Sequence, residues 1–376
     1  MTPEIAYQDD LTTLWHGHVI DTLRALPSES VQMVVTSPPY FGLRAYSTDP
    51  VIWGGDPSCG HAFVKELLRP QSGGTGVASK KQVTNTGSQD AQSSIARGQC
   101  VNCNAWLGEL GHETGPQMFV DHLILILREI RRVLKSSGVI FWNLGDSYAG
   151  SGKGPPGKNG LTKSHSNTGS LIAPIAKIDN LKPKDLMLIP ERFAIAAQGD
   201  GWYVRSRIAW VKNNPMPESV TDRPTSSWEY IWMLTKSREY YWNTVGASEP
   251  AIHAGKVVTL GPRSLSKRSA SGVGIQGSGN ALADSVVAGE TRNIRNAWVL
   301  NQRSFKGAHF ATFNPEIPKR CIEIASQPGD IVLDPFAGAG TTNVVAASLG
   351  RKSIGIELQR KYLDDIAIPR IQKGAV

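Results

Sequence analysis

The chain has 376 residues, 40 Lys plus Arg against 32 Asp plus Glu, and a formal net charge of +8. With 40% hydrophobic and 19% charged residues it can bury a real core, which excludes a chain disordered throughout. At roughly 150 residues per domain, one large domain with an appendage or two domains are expected. No run approaches the ~20 apolar residues of a membrane span. The first ten residues are acidic where a secretory signal would be basic and then apolar, so a cytoplasmic protein with no membrane partner is expected.

The first predicted element is a strand over Val31–Val35, which runs into Thr36-Ser37-Pro38-Pro39-Tyr40. Two consecutive prolines stop both helix and ladder, so a rigid loop must follow. Residues 70–99 are almost wholly small and polar and read as a mobile loop. Phe119, Leu123, Ile126, Leu127, Ile130, Val133 and Leu134 recur at helical spacing, which predicts an amphipathic helix over 117–135 closed by Ser136-Ser137-Gly138. Val139–Asn143 is the next predicted strand, and a second Gly/Pro/Lys/Ser-rich stretch runs from Gly150 to Ser170. Residues 202–212 and 228–242 read as aromatic-rich strands whose tryptophans mostly serve the core. Residues 245–290 read as loops or a loosely ordered insertion. The clearest unit comes last: a strand at Ile331–Asp334, a Gly-rich turn, a helix through Ala347 and a strand over Ser353–Glu357.

Three clusters carry chemistry. In Asp334-Pro-Phe336-Ala-Gly338-Ala-Gly340-Thr341-Thr342, glycines let the backbone approach a ligand closely, and Glu357 at the end of the next strand can accept bonds from both hydroxyls of a ribose. In Ser37-Pro38-Pro39-Tyr40, the prolyl pair holds carbonyls outside any ladder and Tyr40 offers a flat face. That set suits an amino group on a planar ring. Cys59-Gly-His61 and Cys100-Val-Asn-Cys103 bracket the mobile loop and supply four ligands of the kind tetrahedral zinc prefers, with no open position, so a structural zinc is expected. The segment from Ser151 to Ala270 holds 17 Lys plus Arg against 9 Asp plus Glu, which points to a polyanion partner.

Together the first two clusters resemble the amino-group DNA methyltransferases that use S-adenosylmethionine, the family modifying cytosine N4 or adenine N6. The catalytic motif precedes the cofactor loop, the permuted order of that family's beta group. His309–Ile322, Arg128–Asp146, Trp210–Pro215, Asp222-Arg-Pro and Trp228-Glu-Tyr are also similar to family segments. The resemblance implies a doubly wound, mostly parallel α/β sheet, circularly permuted. Residues 1–50 and 116–244 would form the catalytic half, 51–115 a zinc-type insertion, 245–300 a target-recognition insertion and 301–376 the cofactor-binding part. It implies that Ser37, Pro38, Pro39 and Tyr40 are catalytic and that Phe310, Thr312, Asp334, Phe336, Gly338, Gly340, Thr341, Thr342 and Glu357 bind cofactor. Where the family often has Gly-Asp for the adenine contact, this chain has Gly17-His18, leaving Asp21 as the nearest acid and the candidate cofactor-binding residue there; Asn314 stands where proline is common. Double-stranded DNA is the implied partner, with a homodimer and a cognate restriction endonuclease as further expectations. Ser37 favours cytosine N4. Adenine N6, a protein-glutamine or RNA methyltransferase, and a non-catalytic zinc-containing DNA-binding protein are the alternatives.

Overall fold

The computed structural model describes residues 2–42, 48–63, 98–149, 181–215, 217–218, 220–252, 254, 257–259, 285–287, 290–301 and 313–374. Phe310, Thr312, the 150–170 stretch and most of the 70–99 loop and the 245–290 insertion lie outside them. Nine strands form the main sheet: β1 (Glu4–Gln8), β2 (Thr12–His16), β3 (Val31–Thr36), β4 (Leu134–Leu144), β5 (Tyr203–Val211), β6 (Trp228–Thr235), β7 (Ala297–Val299), β8 (Ile331–Asp334) and β9 (Lys352–Glu357). Their order is β1-β2-β9-β8-β3-β4-β6-β5-β7. The five central strands, β2 to β4 in that order, run parallel. β1, β6 and β5 pair antiparallel with their neighbours, and β7 adds a parallel edge beside β5.

Period-two alternation explains the two layers. Val34, Ile140, Trp142, Trp232 and Leu234 face one cluster, shared with helices α1 (Val19–Ala25), α2 (Pro116–Val133) and α3 (Ile189–Gly199). Met33, Val35, Val139, Phe141, Ile231 and Met233 face the other, shared with α4 (Glu316–Ala325) and α5 (Thr341–Ser348). A parallel strand covered on both faces needs apolar residues at every position, and β3 is buried at all six.

Several boundaries differ from expectation. α2 ends at Val133, because Leu134 already has extended backbone and β4 starts there, its side chain wholly buried. Gly138 is therefore a strand residue rather than a helix stop: a Cβ there would meet Leu134 Cγ at 2.5 Å. The aromatic strand at 228–242 stops at Thr235, where the polar run Lys236-Ser-Arg-Glu239 begins. The periodicity gave no warning of β1, β2, α1 or α3. Trp202, Trp210 and Trp232 are core, whereas Trp228 and Trp242 are exposed.

The 51–115 segment contains a small antiparallel sheet of Val51–Trp53, Trp106–Gly108 and Gly98–Gln99, so the loop read over 70–99 has strand at its last two positions. No described helix is long and apolar enough to cross a membrane.

Candidate active site

The chain winds one way from β3 through α2 to β4 and the opposite way from β8 through α5 to β9, so β3 and β8 flank the point where the winding reverses. Open α/β sheets bind ligands there, outside the carboxyl ends of the strands. A cavity of about 1120 Å³ opens at that place, with Ser37–Tyr40, Asp334–Ala339, Thr341 and Glu357 in its wall.

Asp334 ties the two loops together. It is 3% exposed, and Thr36 Oγ1 and Thr342 Oγ1 each donate to its carboxylate at 2.6 Å, with the Phe336 N–H at 3.1 Å. Burial pushes this carboxyl up while the three donors pull it down. Thr36 thus points to the cofactor-type turn and leaves the catalytic loop to Ser37. Gly338 and Gly340 have φ of 50° and 70°, which only glycine adopts at low cost, and Gly340 opens α5.

Glu357 Oε2 accepts from Gly338 N–H at 2.9 Å and Oε1 from Gln359 N–H at 2.7 Å. Enclosure among the strand ends raises its carboxyl to about 7, against those two bonds. Each oxygen keeps a lone pair for a further donor. Beside it, Gly17 N–H donates to the Glu357 carbonyl at 3.0 Å, which brings His18 into the cavity wall. Burial lowers His18 to about 4, so the imidazole is neutral. Asp21 lies farther along, on α1, with a 40% exposed side chain that pairs with His18 at 3.6 Å and Arg24 at 4.0 Å. It is not in the wall of the cavity; Gly17, His18 and Val19 are.

Tyr40 is held from three sides. Its hydroxyl lies 2.7 Å from Glu229 Oε2 and 2.9 Å from Asn143 Oδ1. Its ring lies against Gly145, where any Cβ would collide with the ring edge, and its carbonyl lies 2.9 Å from where a Cβ on Gly111 would stand. Ser37 Oγ donates to the Tyr40 hydroxyl at 3.4 Å, which leaves the serine lone pairs for another donor. Glu229 in turn forms an ion pair with Lys212. Asn143 and Glu229 fall inside recognised segments, yet the sequence alone gave them no role. Their strands, β4 and β6, are neighbours in the sheet, and only that pairing puts both beside Tyr40.

The four predicted zinc ligands also meet. Their ligand atoms all lie within 4.8 Å of one another, with Cys59 Sγ–Cys100 Sγ at 3.9 Å and Cys103 Sγ–His61 Nδ1 at 3.3 Å. Tetrahedral zinc with ordinary bond lengths sets those separations near ~3.8 and ~3.5 Å, so the donor set fits.

The DNA methylase family model for N6 and N4 methyltransferases matches residues 31–368. Type II methyltransferase M.Cfr9I of Citrobacter freundii is 34% identical over 96% of this chain and 87% of its own length. Type II methyltransferase M.XycI of Xanthomonas campestris pv. cyanopsidis is 33% identical over 96% of this chain and 88% of its own. Among solved structures, the PvuII DNA methyltransferase (cytosine-N4-specific) superposes with a TM-score of 0.53 over 99% of this chain and 93% of that one, at 15% identity, a likeness of fold. The two-loop cavity and a match over most of the chain's length lead to the same conclusion: the chain belongs to the N4/N6 amino-group DNA methylase family.

Proposed function

We propose that the protein methylates the exocyclic amino group of a base flipped out of double-stranded DNA, with S-adenosylmethionine as methyl donor and cytosine N4 as target. The observation that carries this reading is the meeting of the Ser37–Tyr40 loop and the Asp334–Gly340 turn at one cavity, joined by the Thr36–Asp334 bond. Its volume, about 1120 Å³, exceeds the ~300–1,000 Å³ usual for a single small ligand and accommodates a cofactor and a base.

The cofactor would supply an electrophilic sulfonium methyl group. Glu357 has the free lone pairs to accept both ribose hydroxyls, and the turn from Phe336 to Thr341 offers close backbone approach. His18, neutral and in the cavity wall, would stand beside the adenine, while Asp21 lies off that wall. An amino nitrogen conjugated with a base is a poor nucleophile. The Ser37 hydroxyl and the Pro38 carbonyl would accept its two N–H groups and favour a pyramidal nitrogen with its lone pair aimed at the methyl. Tyr40 would stack on the flipped base at an angle fixed by Glu229 and Asn143.

Cytosine N4 rests on Ser37, the residue heading the motif in most enzymes of that specificity. Arg205 and Arg207, exposed on β5, supply positive charge for a phosphate backbone. The Cys59, His61, Cys100 and Cys103 set would hold one structural zinc ion per chain. A cognate restriction endonuclease is proposed from the relatives' type II names, and a homodimer in the cytoplasm completes the proposal. The test is transfer of labelled methyl from S-adenosylmethionine to double-stranded DNA by the unaltered protein, with Ser37→Ala as the slowed control. Label appearing in protein or RNA but not in DNA would overturn the reading.

A further inference from the structure

His122 lies on α2, 6% exposed, between two indole rings. Trp53 and Trp106 face each other across the small antiparallel sheet, and each stacks on the imidazole with centroids 5.3 Å apart, at 25° and 24°. Gly108 makes this possible, since a side chain there would collide with the Trp106 ring. The small sheet also leads into the Cys/His cluster: Cys100 N–H donates to the Ala105 carbonyl at 2.6 Å, next to Trp106.

From the other edge of the ring, His122 Nδ1 shares a hydrogen bond with Glu113 Oε1 at 2.9 Å, and Glu113 is itself 4% exposed. The second carboxylate oxygen accepts the Gly111 N–H at 2.8 Å. The Gly111 carbonyl then accepts the Gly42 N–H at 2.8 Å, two residues past Tyr40, and Gly111 itself, at φ +92°, packs against the Tyr40 carbonyl. An unbroken run of short contacts therefore connects the two indoles to the catalytic loop. A buried carboxylate between a histidine and one backbone amide serves no part of the proposed chemistry directly. Its geometric effect falls on Gly111.

We propose that Glu113 and His122, clamped by Trp53 and Trp106, are positioning residues that set the height of Tyr40 in the cavity, and so couple the Cys/His module to methyl transfer. The inference rests on the methyl-transfer reading for its kinetic consequence, but not for its structural one. Holding a stacking ring within a fraction of an ångström matters because near-attack geometry falls off steeply with displacement.

The test uses the full chain with Glu113→Ala and Glu113→Gln. The alanine removes the acceptor for Gly111, whereas the glutamine amide oxygen can still accept that bond. In Glu113→Ala, amide hydrogen exchange at Gly111 and Gly42 should accelerate by about tenfold or more, because two linked hydrogen bonds are freed to open locally. Methyl transfer kcat should fall by about tenfold, with KM for S-adenosylmethionine unchanged. Glu113→Gln should recover most of both. Unchanged exchange at Gly42 in Glu113→Ala would overturn the proposal whether or not the wild-type protein methylates DNA. Wild-type kcat in a variant with loosened exchange would overturn it as well, as would equal losses in the alanine and glutamine variants.

Discussion

Asp334 and Cys100 are both almost wholly buried, at 3% and 1% exposure, yet their surroundings differ in kind. The carboxylate of Asp334 meets a donor from Thr36, from Thr342 and from the Phe336 backbone, so the polypeptide itself answers the charge. Cys100 stands with Cys59, His61 and Cys103, three thiols and an imidazole whose ligand atoms crowd within 4.8 Å. Lone pairs gathered that closely are stable when a proton or a cation shares them. The turn after β8 is therefore self-sufficient, whereas the Cys/His module, with the proposed zinc, would draw its order from outside the chain. The comparison predicts that the two regions fail differently.

The largest effect should come from the module. Replacing Cys100 and Cys103 together by serine should abolish metal binding, taking zinc from about one ion per chain to none. Trp53 and Trp106 should then lose their stacking on His122. Elemental analysis of protein purified without chelator, with near-ultraviolet circular dichroism of the indoles, checks this. Native protein with no stoichiometric zinc would erase the contrast.

Next is Tyr40→Ala, which removes a stacking face worth ~1–3 kcal/mol for an unpaired base and frees Glu229 and Asn143 from their shared contact. Steady-state methylation should show a loss of roughly ten- to a hundredfold in kcat/KM, larger than that of Ser37→Ala. Ser37→Ala should slow transfer and leave cofactor affinity alone, since its contact matters mainly in the transition state.

Glu357→Ala should weaken S-adenosylmethionine binding by about 1–3 kcal/mol, measured by calorimetry. Its pH dependence has a definite sign. The carboxyl of the free protein titrates at about 7, and ribose hydroxyls donate to the ionised form, so binding lowers that value. Affinity should be full above pH 7 and fall by up to about tenfold per unit below it, and Glu357→Gln should flatten the profile. Affinity that rises on acidification would contradict the ribose role.

The smallest effect belongs to the self-sufficient turn. Thr36→Val leaves Asp334 two of its three donors and should cost about 1–3 kcal/mol of stability, seen as an earlier urea midpoint. A larger loss than that of the double cysteine variant would reverse the comparison.

Much of the fold and of the site could be read in the sequence. Pro38-Pro39, the Gly-rich turn and the Cys/His spacing are local signals, in which neighbouring residues constrain one another. α2 was clear because eighteen residues repeat one face. What stayed hidden was non-local. Glu229 meets Tyr40 only because β6 pairs with β4, and Glu113 is an ordinary surface-type residue until His122 and Gly111 close around it. β1 and β2 are short strands at one side of the sheet whose mixed burial gives little periodicity to read. Asp21 drew notice as the nearest acid, whereas it is His18, three residues earlier, that reaches the cavity wall.

The central claim is that the cavity between β3 and β8 methylates an exocyclic amine, and the product base tests it most directly. Double-stranded DNA incubated with the protein and S-adenosylmethionine is digested to nucleosides and analysed by mass spectrometry. N4-methylcytidine in its deoxy form, lost in Ser37→Ala and Tyr40→Ala, is the predicted product. N6-methyldeoxyadenosine alone would contradict the cytosine assignment, and 5-methyldeoxycytidine or no methylated nucleoside would contradict the mechanism itself.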